Sequence, residues 1–474
     1  MTEQNKPFYE KFVKKNELKF HHQKKKEIDE DPNKEKRIEK KNTRDDFPIK
    51  IVKTKNTGKN IFKENDENTN RLLNSFDLII KDALKLSSKQ ISSIPKDIRI
   101  LFHELTNERS SRKVNYLNNP VKLTAYIYHY MWWNLVRISK LIGNLDFDLK
   151  DGDVIADFGC GPMTLMCAFW IAKPELRSKK LHWYCADISG KALAAGEALF
   201  NSLVEFTNQS KHETEQVSNW KLTKLNGSFG LPLKEKIKLF VSANMFNEIF
   251  WDSSIKVEGE AERAAKAILY YLEKDGAALV IEPGIPLAGE FVSALRKNFL
   301  EKKCGILSPC PHAGICPIPG KKVSEKNDIK YPIASDKWCH FSFYADDAPP
   351  KLVELSEAAR LEKTRASLSF IYCRGEEKKE KPIEYKNEKK EKQSDLENEK
   401  KDFLARISSE IIKLGDGKIG RYACSEKGFL LLTEKKSSRS KLKEYVDGSL
   451  IKIENEKINR FFHDRKTGAL IIQV

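Results

Sequence analysis

The chain has 474 residues, with 85 Lys and Arg against 68 Asp and Glu and a formal net charge of +17. That length accommodates two or three domains, and the positive excess points to a polyanionic partner, RNA or DNA. No apolar run approaches the roughly 18–20 residues of a membrane helix, so no membrane association is expected.

At the N-terminus, "MTEQNKPFYEKFVKKNELKF" lacks an apolar h-region and carries Glu3, Glu10 and Glu17, which argues against a signal or transit peptide. Residues 1–70 hold 19 basic and 14 acidic residues and few apolar groups, and read as a disordered, mildly basic tail. Residues 71–145 read as helices: "RLLNSFDLIIKDALKL" and "LTAYIYHYMWWNLVRISKLI" place apolar residues at helical spacing. The second carries Tyr126, Tyr128, Tyr130, Trp132 and Trp133, and is read as packing on a core rather than as an RNA-stacking face.

From about residue 146 to 374 short apolar strands alternate with helices. "VIADFGCG", "LHWYCADIS", "WKLTKLNGS", "IKLFVSANMF" and "AALVIEPG" are five strands, with helix-like "TLMCAFWIA" and "GKALAAGEALFNSLVEF" between them. This alternation predicts an α/β fold with a doubly wound parallel sheet. "CHFSFYA" and "ASLSFIYCRG" are expected to close it as a hairpin. Residues 375–402 form a charge-balanced linker, and 403–474 a basic β-rich module with 15 basic and 9 acidic residues.

In "VIADFGCGPMT", Asp157, Gly159 and Gly161 sit at the end of the first strand. Glycines there let the backbone approach a ligand, and the next helix offers free N–H groups. The D-x-G-x-G pattern resembles the S-adenosylmethionine (SAM) turn of class I methyltransferases. Asp187, closing the second strand, is placed to accept hydrogen bonds from both ribose hydroxyls. Met163 stands where many such turns have a third glycine, and is expected to narrow the pocket. After the fourth strand "SANMFNEIF" supplies Asn244, Asn247 and Glu248 but no prolines of the base N-methyltransferase kind, and no catalytic residue is assigned.

Cys304, Cys310, Cys316 and Cys339 follow a C-x5-C-x5-C-x22-C pattern in an insertion over 304–339. No C-x2–4-C zinc knuckle occurs, and Cys310-Pro311 and Cys316-Pro317 suit a 4Fe–4S cluster. His312 and His340 lie beside them, which keeps zinc open as an alternative. Cys160, Cys167, Cys185, Cys373 and Cys424 are read as core or incidental. A radical-SAM enzyme is excluded, because C-x3-C-x2-C spacing is missing.

Together, "DFGCGP", "VIEPGIPLAG", "CGILSPCPHAGICP" and "WCHFSFY" resemble the methyltransferase-like family of mitochondrial small-ribosomal-subunit assembly proteins and their bacterial relatives, over about residues 115–374. The resemblance implies a class I methyltransferase fold binding SAM, with a 4Fe–4S cluster on the four cysteines of the insertion. It further implies association with small-subunit ribosomal RNA and the assembling small subunit, with methyl transfer in doubt. An active rRNA methyltransferase and a zinc-binding RNA module are the alternatives. With no transit peptide evident, the bacterial cytoplasm is expected rather than the mitochondrial matrix.

Overall fold

The computed structural model describes residues 60–106, 115–209, 218–248, 256–321, 333–334, 337–376, 402–437, 439–454 and 458–474. Most of the expected tail and nearly all of the expected 375–402 linker lie outside them. The tail reading does not extend to residue 70: Ile61 and Phe62 are buried, and Phe62 packs its ring 5.4 Å from Phe341. Two large apolar side chains in a charged stretch are enough to anchor it.

Helices α1 (Glu67–Asn74), α2 (Phe76–Leu84), α3 (Ser88–Thr106), α4 (Pro120–Ala125) and α5 (Trp132–Gly143) precede the sheet. Asp66 caps α1 by accepting from the Thr69 N–H at 2.7 Å, and Asn119 caps α4 in the same way. Tyr126–Met131, between α4 and α5, form a π-helix. Such a segment turns extra side chains toward one face and is frequent at functional sites. Trp132 and Trp133 are core residues, donating to the Leu73 carbonyl and the Ser356 hydroxyl. Tyr126 and Tyr130 are only partly buried and stack on each other at 5.6 Å. The aromatic segment therefore divides, one part core and one part facing a cavity.

The main sheet runs β3-β2-β1-β4-β5-β8-β6, with β7 also paired to β8. Its strands are β1 (Val154–Phe158), β2 (His182–Asp187), β3 (Lys221–Asn226), β4 (Ile237–Ala243), β5 (Leu272–Pro283), β6 (Cys304–Ser308), β7 (Phe341–Tyr344) and β8 (Arg365–Glu376). The first five pair in parallel, and β8 lies antiparallel to β5, β6 and β7. Strand order reverses between β1 and β4, and helices cover both faces. That is the doubly wound arrangement of a class I methyltransferase-like domain. Its interleaving helices are α6 (Thr164–Ala172), α7 (Gly190–Gln209), α8 (Val257–Tyr271), α9 (Pro286–Glu301) and α10 (Pro350–Ala358). β1 is buried along its whole length, as a central strand covered on both faces must be. Two local expectations change. β7 and β8 are not a tight hairpin, because α10 lies between them, and Cys304 opens a sheet strand rather than sitting in a loop.

The C-terminal residues form a second, seven-stranded sheet, order β13-β9-β11-β12-β15-β14 with β10 on β11. β9 is Phe403–Ile407, β10 Ile412–Lys413, β11 Lys418–Ser425, β12 Gly428–Lys435, β13 Leu450–Ile453, β14 Ile458–His463 and β15 Leu470–Gln473. Alternating residues such as Ala405, Ile407, Leu430, Leu432 and Ile472 build its own core. It docks on the methyltransferase-like domain through Ile318, Ala334, Phe429, Leu431 and Ala469. The Ser342 N–H donates to Asp447 across the same contact at 2.9 Å. No described helix is long and apolar enough to cross a membrane.

Candidate functional site

Two centres assemble at the carboxyl end of the main sheet. The first is the turn after β1. Gly159 and Gly161 have φ of +66° and +52°, in the left-handed region that favours glycine. A Cβ on Gly159 would lie 2.6 Å from Met245 Cγ, so the glycine is also required sterically, whereas Gly161 faces open space. The Gly161 N–H donates to Asp187 Oδ2 at 2.9 Å, and the Ser189 N–H to Oδ1 at 2.8 Å. Ser189 in turn donates its hydroxyl to Asn118. Sheet order thus brings Asp157, Gly159, Gly161 and Asp187 together. Asp157 is fully buried with neither carboxylate oxygen hydrogen-bonded. Burial, with Asp187 nearby, pushes its carboxyl well above the ordinary range.

Met163 does not narrow this turn. It takes a left-handed φ of +59°, is fully buried, and packs on Gly196 of α7, where a Cβ would meet Met163 Cγ at 2.7 Å. The glycine that the turn lacks is in effect supplied by the facing helix.

Arg137 on α5 ties the cover of the site to the sheet. It donates to the Ser367 carbonyl and to Asn244 Oδ1, both at 2.6 Å, and to Asn134 Oδ1 at 3.0 Å. Sequence reading did not single out Glu282. Its buried carboxylate accepts from the Phe246 and Asn247 N–H groups at 3.0 and 2.9 Å, which fixes the segment after β4. Burial raises it to about 8, partly offset by those two N–H groups and by Arg137. The signal was a lone acid in an apolar strand, "LVIEPG", which must find donors when buried.

The second centre is the cysteine group. Cys316 and Cys339 pack on the cluster that joins the two sheets, and burial with neighbouring thiols raises Cys310 and Cys339. Cys304 does not join them. It is buried in β6 within the core under the sheet, near Cys373. The fourth thiol of the group is Cys424 of β11, in the C-terminal module, which is influenced by Cys316, Cys310 and Cys339. Around these sulfurs stand two buried guanidiniums. Arg296 donates to Cys310 Sγ at 3.1 Å and to the His312 carbonyl at 2.8 Å. Arg406 donates to the Pro309 and Gly448 carbonyls, both at 2.9 Å. His312 Nε2 lies 3.5 Å from Cys424 Sγ, while His340 stacks on Trp338 at 4.9 Å.

Among the described residues, one group of three metal-binding side chains holds its ligand atoms within 4.8 Å of one another: Asp157, Cys160 and Cys185. No three sulfurs of the second centre are that close. Tetrahedral zinc with Zn–S near 2.3 Å would set its sulfurs about 3.8 Å apart.

Residues 154–382 match the model of a family described as "Mitochondrial small ribosomal subunit Rsm22". No curated protein matches the chain. Among solved structures, a Listeria monocytogenes protein described as a class I S-adenosylmethionine-dependent methyltransferase is 11% identical, covers 67% of this chain and 90% of its own, and has a TM-score of 0.30. An O-methyltransferase from Thermotoga maritima is 12% identical, with 52% and 67% covered and a TM-score of 0.27. A methyltransferase from Pyrococcus furiosus is 14% identical, with 37% and 77% covered and a TM-score of 0.24.

Proposed function

We propose, from the match of residues 154–382 to the Rsm22 family of the mitochondrial small ribosomal subunit, that the chain is a SAM-binding, iron–sulfur-containing factor acting on the small ribosomal subunit through its RNA. The observation that carries this reading is the convergence of Cys310, Cys316 and Cys339 with Cys424 of a separate module. Cys424 replaces Cys304 in the ligand set read from the sequence.

The donor chemistry fits a 4Fe–4S cluster. One buried and three partly buried thiols, two buried guanidiniums and a hydrogen bond to Cys310 Sγ provide ligands, charge compensation and an orienting donor. When bound, such a cluster supplies a rigid crosslink and a one-electron redox centre. The chain's own part is to hold the C-terminal module against the main domain.

SAM fits the first centre in part. The positive-φ glycines and the start of α6 can accept a carboxylate-bearing ligand closely. Asp187 has two of its roughly four lone-pair sites used, leaving capacity for ribose hydroxyls. Asp157 lines a recess of about 10 Å³ with Tyr126, Gly159 and Asn244.

The test is anaerobic purification with iron, acid-labile sulfide and zinc measured together. Near-equal iron and sulfide, lost in Cys424→Ser and Cys310→Ser but kept in Cys304→Ser, is the expected result. Stoichiometric zinc without sulfide under adequate iron removes the cluster. Loss of the cluster in Cys304→Ser but not Cys424→Ser restores the sequence-based set. Free sedimentation away from small-subunit particles at low salt defeats the ribosomal assignment.

A further inference from the structure

A cavity of about 390 Å³ lies beyond the ends of β4 and β5, joined to the recess at Asp157 through Tyr126, Asn134 and Asn244. That volume falls in the range of about 300–1,000 Å³ typical of small-ligand pockets. Its walls combine two chemistries. One side is aromatic, with the stacked Tyr126–Tyr130 pair and Trp133. The other carries Arg137, Lys363 and Arg365, with Glu248 the one lining carboxylate among the described residues.

The charge decides what fits. SAM carries a sulfonium, an ammonium and one carboxylate, a net positive charge, and Lys363 beside Arg137 disfavours it as the occupant. Arg137 donates to a carbonyl and two amide oxygens, and the buried Glu282 offsets its charge in part. The Lys363 ammonium sits 5.3 Å from the Trp133 ring centroid, and desolvation and Arg137 lower it to about 8. An anionic ligand relieves that repulsion. Arg365 is shared with Glu410 at 2.7 Å, which leaves Lys363 as the main phosphate contact at the mouth.

We propose that this cavity receives one unstacked nucleotide of single-stranded RNA, its base against the Tyr126–Tyr130 face and its phosphate at Lys363. Stacking on an aromatic ring with a cation at the backbone is the general way proteins hold a splayed-out base. Asn247 and Glu248 at the far wall offer hydrogen-bonding groups to a base edge. The proposal rests on the ribosomal-RNA reading above for its ligand, but not on methyl transfer.

The experiment uses the full-length protein and a short single-stranded RNA bearing one 4-thiouridine, photo-crosslinked and mapped by mass spectrometry, with titrations of the same RNA and of CMP. Expected are crosslinks within 126–133, CMP binding undisturbed by SAM, and about tenfold weaker RNA binding in Tyr130→Leu, restored in Tyr130→Trp. Lys363→Glu should weaken binding and lower the salt slope by about one phosphate contact. Thermal unfolding of each variant separates binding loss from misfolding. Crosslinks confined to 403–474, with these variants binding RNA normally, overturn the proposal and leave the RNA reading intact. Stoichiometric displacement of CMP by SAM overturns it too, by making the cavity the donor's. Absence of RNA binding by the wild-type protein sinks both.

Discussion

Asp157 buries a carboxyl whose oxygens find no hydrogen-bond donor, an expensive arrangement unless a ligand or a proton makes up for it. Because its folded value is raised, its contribution to stability is present at low pH and is lost as pH rises above the ordinary carboxylate value near 3.8. Asp157→Asn should therefore raise the melting temperature of the ligand-free protein at pH 7, by an amount that shrinks toward pH 4, while weakening SAM binding. Thermal unfolding across that range, paired with SAM titration, checks both halves. Met163 presents the opposite balance. Glycine there relieves a left-handed residue worth about 1–2 kcal/mol, but empties a fully buried site whose truncation costs about 2–5 kcal/mol. Met163→Gly should thus lose about 2 kcal/mol in urea unfolding, although it restores the turn's commoner residue.

At the scale of elements, the segment after β4 and the end of β5 act as one unit because Glu282 accepts both backbone N–H groups. Glu282→Ala leaves the Phe246 and Asn247 donors unpaired. We expect about 2–4 kcal/mol of lost stability, with faster amide exchange at 246 and 247 than at core strands as the distinguishing reading. The parallel strands and the glycine turn were legible in the sequence because both signals are local. Apolar runs of strand length and left-handed glycines follow from neighbouring residues alone. Cys304 misled for the same reason. Its five-residue spacing to Cys310 belongs to a strand followed by a loop, and the antiparallel register with β8 carries it away from the other thiols. Cys424, in "RYACSEKGF", offered only a lone cysteine in an alternating strand, too little to mark it.

In the whole molecule, two sheets meet around the thiols, and Arg406 is one of the links between them, beside the Ser342–Asp447 hydrogen bond. Arg406→Leu removes a buried cation and strands the Pro309 carbonyl. The expected cost is about 3 kcal/mol, and limited proteolysis between the two sheets should accelerate. If the proposed RNA association holds, a net charge of +17 gives it a steep salt dependence, which filter binding at two ionic strengths measures directly. By itself the sequence determined the sheet, its glycine turn, the second β module and the basic character, since these arise from periodicity, backbone sterics and summed charge. Only the tertiary structure decided which thiols share a site, where Met163 points and which aromatics face a cavity. Those are contacts between segments far apart in the chain, and no local pattern encodes the docking that creates them.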